Sequence, residues 1–331
     1  MKALKNRKKL IFISLWVSSD LLYAASDATD TLVNIEVNET LLEEVRLALP
    51  EGTVANQEYL KPLYNPNISL QADAHVSITF LDEGAGYRNS LGYFTFSDTT
   101  FDDISFGDID LDGSGYIGIK ELQAIEGLET GMVFNNVSEA GGGGSLLTGD
   151  TVVLGGASIT DINGTDFNMT GGSIFTAGTN IGFFLMQNAW TGSQVNGWDT
   201  SYADPLTMYT IDFLNPENNE FATIDNVDIN SRHVAMMTSL ADENELILGF
   251  EDLVRLYGDN DFNDAVFRIR TDPVEALFAE VPTAKSVIDL QAAPGPEAGK
   301  GIASAIVFAL GLLFLIRRQG IQHDRRTRHD S

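Results

Sequence analysis

Short runs of alternating apolar and polar residues, separated by Gly, Asn and Asp, fill the chain from residue 51 to residue 271. A period of two places every second side chain on one face of a strand, and turn residues at this spacing favour antiparallel connections. The sequence therefore predicts an all-β fold, an antiparallel β-sandwich or jelly-roll-like domain over residues 70–271. The predicted strands are 75–80, 92–96, 151–154, 181–186, 206–213, 233–240, 245–249 and 265–270.

Two short helices are expected beside the strands. Residues 38–48 begin with Asn38 at the N-cap position, carry acidic residues in the first turn, and are followed by Pro50-Glu51-Gly52. This helix belongs to a predicted N-terminal helical or extended segment, 26–69. A second helix is predicted at 122–128, whereas residues 101–108 lack a helical pattern.

The acidity of the central chain restricts its partners. Residues 26–299 contain nine Lys or Arg and forty-four Asp or Glu, and the formal charge of the whole chain is −27. Nucleic acid is not an expected partner, because phosphate binding needs a basic surface. Repulsion of this size disfavours a compact state unless counter-ions bind, although the hydrophobic content of 44% argues against disorder. Because the chain has no Cys, it cannot form disulfides, and bound metal is a candidate for stabilising the fold in their place.

The first part of the chain has the pattern of an export signal. Residues 1–25 combine a basic start, an apolar core and small residues at Ala24 and Ala25, which predicts a cleaved secretory signal peptide. An uncleaved membrane anchor is the alternative, but the apolar run is short for a bilayer.

The last part of the chain has the pattern of a membrane segment. Residues 272–299 are rich in Ala and Pro and are predicted to form a stalk. The following residues are apolar and uncharged between Lys300 and Arg317, which predicts a transmembrane helix or sorting segment at 300–318. The Arg-rich residues 319–331 are then a basic cytoplasmic tail, with the acidic bulk of the chain on the outside.

The order of residues near the C-terminus resembles the PEP-CTERM sorting signal of bacteria. Pro296-Glu297 precedes the apolar segment and the pair Arg317-Arg318, although Ala298 stands where that signal usually has Pro. The resemblance implies recognition and cleavage by an exosortase-type processing enzyme. An ordinary one-helix membrane anchor explains the same pattern. Both interpretations predict a protein of the cell envelope or surface, or an extracellular protein, anchored permanently or transiently in the inner membrane.

The sequence DLDGSGYIGIKE, residues 110–121, matches an EF-hand or dockerin-like calcium loop at every position. Such a loop needs oxygen ligands at positions 1, 3 and 5, Gly at 6, a carbonyl at 7, an apolar residue at 8 and a bidentate Glu at 12. An Asp- and Gly-rich turn without metal is the alternative. We predict one Ca²⁺ here, bound with the modest affinity of extracellular modules, roughly 10⁻⁴–10⁻³ M. The predicted ligands are Asp110, Asp112, Ser114, the Tyr116 carbonyl and Glu121.

A second acidic cluster precedes the last predicted strand. Five carboxylates occur within fourteen residues, with few basic residues nearby. Asn and Asp can form such a turn through their own hydrogen bonds, which is the alternative to a metal site. Carboxylates this close repel one another unless a cation or protons lie between them, and oxygen ligands without His or Cys indicate Ca²⁺. The predicted ligands are Glu251, Asp252, Asp259, Asp261 and Asp264.

Residues 249–270 also resemble the signature of the bacterial domain of unknown function 4114, which is related to a domain of LruC-like secreted proteins. Stretches at 76–80, 83–93, 182–185 and 232–235 fit the same pattern, so the resemblance extends over residues 70–270. It implies a secreted or surface bacterial protein with a β-rich, calcium-dependent domain, and it implies no reaction.

Three functions remain open from the sequence. The first is a calcium-binding structural or adhesive protein of the envelope or extracellular matrix, with polysaccharide or matrix proteins as partners. The second is a calcium-dependent carbohydrate-binding module, in which Trp190, Trp198, Tyr202 and Tyr209 form a stacking surface, although core packing is the commoner explanation of such aromatic residues. The third is a glycan hydrolase using paired carboxylates. The first is preferred, because no catalytic motif accompanies the two candidate calcium sites.

Overall fold

The structure is a computed structural model that describes residues 32–61, 65–199, 205–218, 231–239 and 245–278. Their regular secondary structure is mostly β-strand, with few short helices, which confirms the all-β prediction. The α-helices are α1 (Glu39–Ala48), α2 (Phe106–Ile109) and α3 (Ile119–Leu122). The strands are β1 (Val33–Asn34), β2 (Ile68–Leu70), β3 (His75–Asp82), β4 (Ser90–Phe96), β5 (Glu129–Phe134), β6 (Asp150–Val153), β7 (Ser158–Asn163), β8 (Asp166–Thr170), β9 (Asn180–Met186), β10 (Thr207–Tyr209), β11 (Val234–Thr238), β12 (Leu246–Phe250), β13 (Ala265–Asp272) and β14 (Leu277–Phe278).

The strands form two six-stranded antiparallel sheets and one hairpin. The first sheet has the order β1-β6-β3-β13-β12-β11. The second has the order β14-β2-β9-β4-β5, with β10 paired to β9, and β7 pairs with β8. At the centre of the first sheet, Phe267 of β13 lies opposite Phe80 of β3. β12 and β13 are neighbours in this sheet, so the acidic 251–264 segment connects two adjacent strands.

The two sheets share one apolar core. Alternate residues of β13 enter this core, and so do Phe183 and Leu185 of β9 in the second sheet. The rings of Phe183 and Phe267 lie 5.4 Å apart between their centroids, so the sheets are in direct contact. This arrangement follows from the alternation of the sequence, which places one apolar row of each strand on the same face.

Helix α1 covers the outer face of the first sheet. Asn38 caps the helix by accepting a hydrogen bond from the Thr40 amide at 2.9 Å, as the sequence predicted. Leu41 and Val45 on its buried side pack against Ile247 and other outward-facing residues of the sheet. Both faces of β12 are therefore buried.

A second layer covers the outer face of the second sheet. It contains α2, α3 and the loop between them, and its apolar side chains pack around Phe94, Phe184 and Tyr209. The predicted calcium loop is thus part of a packed layer. Every residue of β9 is buried as a result.

The predicted strands are confirmed, but several bounds and helices differ. The predicted strand 206–213 is only Thr207–Tyr209, because a 3₁₀ turn at Asp212–Leu214 follows it. The helix predicted at 122–128 is wrong, since α3 ends at Leu122 and Gly127 turns the chain into β5 with a φ of 81°. Residues 101–108, predicted without helix, include the start of α2.

The sheets extend beyond the predicted domain bounds. β1 and β2 come from the predicted N-terminal segment 26–69 and add strands to the first and the second sheet. β14 lies in the segment 272–299 that was predicted to be a stalk, and it pairs with β2. The predicted signal peptide, membrane segment and tail lie outside the described residues. Within the described part, none of the helices has the length and apolar character needed to cross a membrane.

Candidate metal centre

The 110–121 loop is fixed to the second sheet by its apolar residues. Ile117, at the apolar position of the calcium-loop pattern, is fully buried, and so is Ile119 at the start of α3. The Tyr209 hydroxyl of β10 donates a hydrogen bond of 2.8 Å to the Ile117 carbonyl. The loop is consequently held at both its middle and its end.

The predicted ligands of this loop lie together. Carboxylate oxygens of Asp110, Asp112 and Glu121 all lie within 4.8 Å of one another. Ser114 and Tyr116 are in the same loop, where the Ser114 hydroxyl donates to the Tyr116 carbonyl at 2.9 Å. Gly115 has a φ of 86°, a left-handed conformation that explains the Gly at this position.

Loop amides surround these carboxylates. Glu121 Oε1 accepts from the Leu111 amide at 2.6 Å, and its Oε2 accepts from the Gly118 amide at 2.9 Å. Asp112 accepts from the Ser114 amide at 2.8 Å, and its hydrogen bonding to Ser114 lowers the pKa of its carboxyl. The glutamate thus folds back over the loop with both oxygens facing inward, which is the orientation that a bidentate ligand needs.

The second acidic cluster occupies the connection between β12 and β13, which we call the 251–264 loop. Two residues with left-handed conformations, Asn260 (φ 62°) and Phe262 (φ 61°), shape this connection. The ring of Phe262 is fully buried beneath the guanidinium of Arg255, which lies 4.6 Å from its centroid. The burial of the Phe262 ring therefore holds the loop in place.

Three carboxylates of this loop form a buried group. Oxygens of Glu251, Asp252 and Asp264 lie within 4.8 Å of one another. Glu251 is 1% exposed and Asp252 is 3% exposed. Asp252 accepts a hydrogen bond of 2.6 Å from the Asn89 amide group, and Asp264 accepts from the Asp252 backbone amide at 2.8 Å. Within the described ranges, neither carboxylate oxygen of Glu251 has a hydrogen-bond partner. We call these three residues the buried group.

Burial and mutual repulsion favour protons on this group. Burial, together with the charges of Asp259, Asp261 and Asp252, raises the pKa of Glu251 to about 8. Burial and the charges of Asp252 and Glu251 raise the pKa of Asp264 to about 9. Burial also raises the pKa of Asp252, against the hydrogen bond from Asn89. Such shifts mean that the three charges need neutralisation by protons or by a cation.

The structure separates Asp259 and Asp261 from the buried group. Their carboxylate oxygens lie within 4.8 Å of each other and of a Glu51 oxygen, and Glu51 was not among the predicted ligands. Asp261 is buried, whereas Glu51 and Asp259 are exposed. The Gly52 amide donates to Asp261 at 2.7 Å, so the residues after α1 contact the loop directly. We call these residues the open group.

In the part of the chain that the structure describes, no basic side chain forms an ion pair with either group. Among the described residues, the ion pairs within 4.0 Å include none of the six carboxylates of the buried and open groups. Arg255 is nearby, but its guanidinium donates to the Arg232 carbonyl at 2.6 Å and to the Asn260 side chain. The charge of Arg255 lowers the pKa of Glu251, but burial and the neighbouring acids outweigh this effect.

His233 positions the backbone of the buried group. Its Nδ1 lies 3.0 Å from the Glu251 carbonyl, and its Nε2 lies 2.9 Å from Glu217 Oε1. A carbonyl can only accept, so Nδ1 carries a proton. Burial opposes the charge of Glu217, but hydrogen bonds and charge from His233 outweigh it and hold the pKa of Glu217 below its usual value. His233 is thus a fully buried residue that links Glu217 to the Glu251 backbone.

Glu83 is a further acidic residue that the sequence did not single out. Its Oε2 accepts from the Glu139 amide at 3.1 Å, while its buried Oε1 has no hydrogen-bond partner. Burial raises the pKa of Glu83 to about 7, with a contribution from the charge of Asp252. Glu83 and Asn89 both lie in the stretch 83–93, which is part of the family resemblance. That resemblance was the one feature of the sequence that could have indicated a role for these two residues near the buried group. Nothing near Glu51 in the sequence connects it with a loop two hundred residues later.

Three of the four aromatic residues considered as a sugar-stacking surface pack instead in the layer over the second sheet. Tyr209 is fully buried, and the Trp198 ring stacks on Phe184 with centroids 6.3 Å apart. Trp190 is partly buried against the same cluster. Tyr202 lies outside the described residues.

Comparison with known proteins identifies one part of the chain. Residues 175–272 match the family model described as a domain of unknown function (DUF4114). The match contains β9 to β13 and the whole 251–264 loop, whereas Glu51, Glu83 and the 110–121 loop lie outside it. The match confirms the resemblance to this family that the sequence analysis found. It covers residues 175–272, a shorter span than the expected residues 70–270. Neither the curated proteins nor the solved structures gave a match to this chain.

Proposed function

We propose that this chain, which carries a DUF4114 domain, is a secreted or surface-anchored bacterial protein whose β-sheets are stabilised by bound calcium. Its role is structural or adhesive, in the cell envelope or the extracellular matrix. The observation that carries the proposal is Glu251, a buried carboxylate without a hydrogen-bond donor beside two further carboxylates. An ionised carboxylate in such a place is strongly disfavoured unless a cation compensates it.

Calcium is the cation that suits the buried group best. The ligand atoms of the buried group are carboxylate oxygens, which favour hard cations, and the chain has no Cys for a soft metal. Calcium also accepts irregular coordination by six to eight oxygens, whereas magnesium requires near-octahedral geometry. The 110–121 loop supports the same ion independently, through its complete ligand pattern and its inward-facing Glu121.

The exported location rests on the two ends of the chain. The predicted signal peptide at 1–25 and the predicted membrane segment at 300–318 place the acidic residues outside the cell, where calcium is abundant. We propose that the membrane segment either remains as an anchor or is removed near Pro296-Glu297 by an exosortase-type enzyme. Mass spectrometry of surface material tests this, because an intact Ser331 terminus would rule out cleavage.

Calcium titration of the full chain, purified in detergent, tests the central proposal. Calorimetry should detect bound calcium, and calcium should raise the melting temperature. Glu251→Gln should reduce both the amount bound and the increase in melting temperature. Glu275→Gln is the matched control, because Glu275 is exposed and lies in the same domain. Calcium binding that is identical in wild type and Glu251→Gln would refute the proposal.

A further inference from the structure

We propose that the 251–264 loop holds two cations that share Glu251. One lies in the buried group with Asp252 and Asp264, and the second lies in the open group with Glu51, Asp259 and Asp261. This inference rests on the proposed calcium site of the buried group and adds a second ion, with a ligand from the N-terminal part of the chain.

Glu251 belongs to the buried group, and among the described residues neither of its carboxylate oxygens has a hydrogen-bond partner. One oxygen lies within 4.8 Å of oxygens of Asp252 and Asp264. The carboxylate also rests against Gly258, where a β-carbon would come within 2.0 Å of Glu251 Oε1. Because Gly258 immediately precedes Asp259 of the open group, we place Glu251 at the second ion as well. A carboxylate with two unpartnered oxygens can bind one ion with each.

Asn263 supplies a neutral oxygen beside the open group. Its Nδ2 donates to Glu51 Oε2 at 2.9 Å, while its Oδ1 is buried without a hydrogen-bond donor. Gly84 leaves the space for these two side chains, because a β-carbon there would lie 2.3 Å from Glu51 Oε2 and 2.4 Å from Asn263 Oδ1. Uncharged amide oxygens are ordinary calcium ligands.

The second ion would tie the end of α1 to the loop. The segment after α1 already contacts the loop through the Gly52 amide, which donates to Asp261, and the Ala55 amide, which donates to the Asn260 carbonyl at 2.8 Å. A cation between Glu51 and the two aspartates would add a bond between parts of the chain that are distant in sequence. Because Glu51 and Asp259 are exposed, this ion would keep water ligands and exchange with solvent more readily than the ion of the buried group.

The number of calcium ions bound per full chain in detergent, measured by equilibrium dialysis with ⁴⁵Ca²⁺, tests the proposal. All variants carry Glu121→Gln, which removes the contribution of the 110–121 loop. This parent should bind two ions. Adding Glu51→Gln should leave one ion, and adding Glu251→Gln should weaken both by at least tenfold. Glu43→Gln is the matched control, because Glu43 is exposed on α1 and changes the charge equally.

The outcomes separate this inference from the proposed function. A parent that binds one ion, or that keeps two ions after Glu51→Gln, would overturn the second cation while the buried-group site stands. Loss of only one ion with Glu251→Gln would show that Glu251 is not a ligand of both cations. A parent that binds no ion would refute both proposals. Asp259→Asn changes an exposed ligand of the open group and should also leave one ion. This variant tests the second cation even if Glu251→Gln fails to fold.

Discussion

At the scale of single residues, the acidity of the 251–264 loop acts most directly on Glu251. Its carboxylate is removed from water, has no hydrogen-bond donor, and lies among other acids. A proton and a calcium ion are two solutions to the same electrostatic problem, and they exclude each other. The pH at which the metal-free protein is most stable is therefore a direct test of the loop.

The metal-free chain should lose stability as the pH rises through the range in which the buried group ionises. The pKa of Glu251 is raised from 4.5 to about 8, and that of Asp264 from 3.8 to about 9. Because both folded-state pKa values are raised, the folded state holds protons that the unfolded chain releases. The stabilisation that these protons give is complete below the pKa values of the unfolded chain. It is lost as the pH rises through the pKa values of the folded state. The melting temperature in chelator should therefore fall from about pH 4, near the unfolded values, to about pH 9, and a series from pH 6 to pH 9 lies within this range.

Two controls accompany this pH series. Glu251→Gln cannot ionise at this position and should flatten the decrease. Saturating calcium should flatten it too, because the ion replaces the protons. A wild-type melting temperature in chelator that stays constant or rises from pH 6 to pH 9 would contradict the raised pKa values.

Glu121 should control calcium binding to the 110–121 loop. Its two oxygens face inward and accept three loop amides, so the residue fixes the loop as well as supplying a bidentate ligand. Glu121→Gln keeps the size of the side chain but removes its charge, and it should remove one ion from the total measured by calorimetry. Glu126→Gln is the control, since Glu126 is exposed five residues later. Equal calcium binding by Glu121→Gln and wild type would show that the loop is an Asp-rich turn.

At the scale of elements, the sequence predicted those strands and helix ends that are determined by a local residue pattern. The alternation of β3, β12 and β13 identified central strands, and Asn38 identified the start of α1, because capping and periodicity act within a few residues. β1 and β14 have two residues each and form only through their partners β6 and β2. No local signal can identify strands of this length.

The packing of α1 gives a prediction with a control in the same helix. Leu41 is 2% exposed and packs against the first sheet, whereas Leu47 is 40% exposed. Leu41→Ala should cost about 2–5 kcal/mol of unfolding free energy, from lost burial and the cavity left behind. Leu47→Ala removes the same atoms from a site that remains in water and should cost less than about 1 kcal/mol. Denaturant unfolding measures both, and equal losses would mean that α1 does not pack on the sheet.

At the scale of the whole molecule, the candidate site was only partly predictable. The acids of the 251–264 loop were recognised because they are close in sequence. Their division into two groups depends on the left-handed conformations of Asn260 and Phe262 and on the burial of the Phe262 ring. Glu51 reaches the open group only because α1 folds onto the first sheet. Long-range packing, which a local pattern does not contain, completes the site.

The excess of acidic residues leads to a prediction that distinguishes screening from coordination. Residues 26–299 contain forty-four acidic and nine basic residues, so any salt should reduce repulsion to some extent. An ion bound only by the folded state stabilises it by RT ln(1 + [L]/Kd), about 2.7 kcal/mol when free calcium is one hundred times Kd. Chelation should therefore lower the melting temperature of the full chain by several degrees.

Sodium chloride should not restore the lost stability, because screening acts on every exposed charge, whereas the buried group needs an ion that replaces its missing donors. Magnesium should restore less than calcium does, because irregular oxygen ligands suit its octahedral preference poorly. The decisive comparison uses Glu121→Gln, which retains only the 251–264 loop as a candidate site. If that variant melted at the same temperature in calcium and in chelator, the loop would bind no calcium. Its charge would then be neutralised by protons on Glu251 and Asp264, and the decrease in stability with rising pH would persist in calcium.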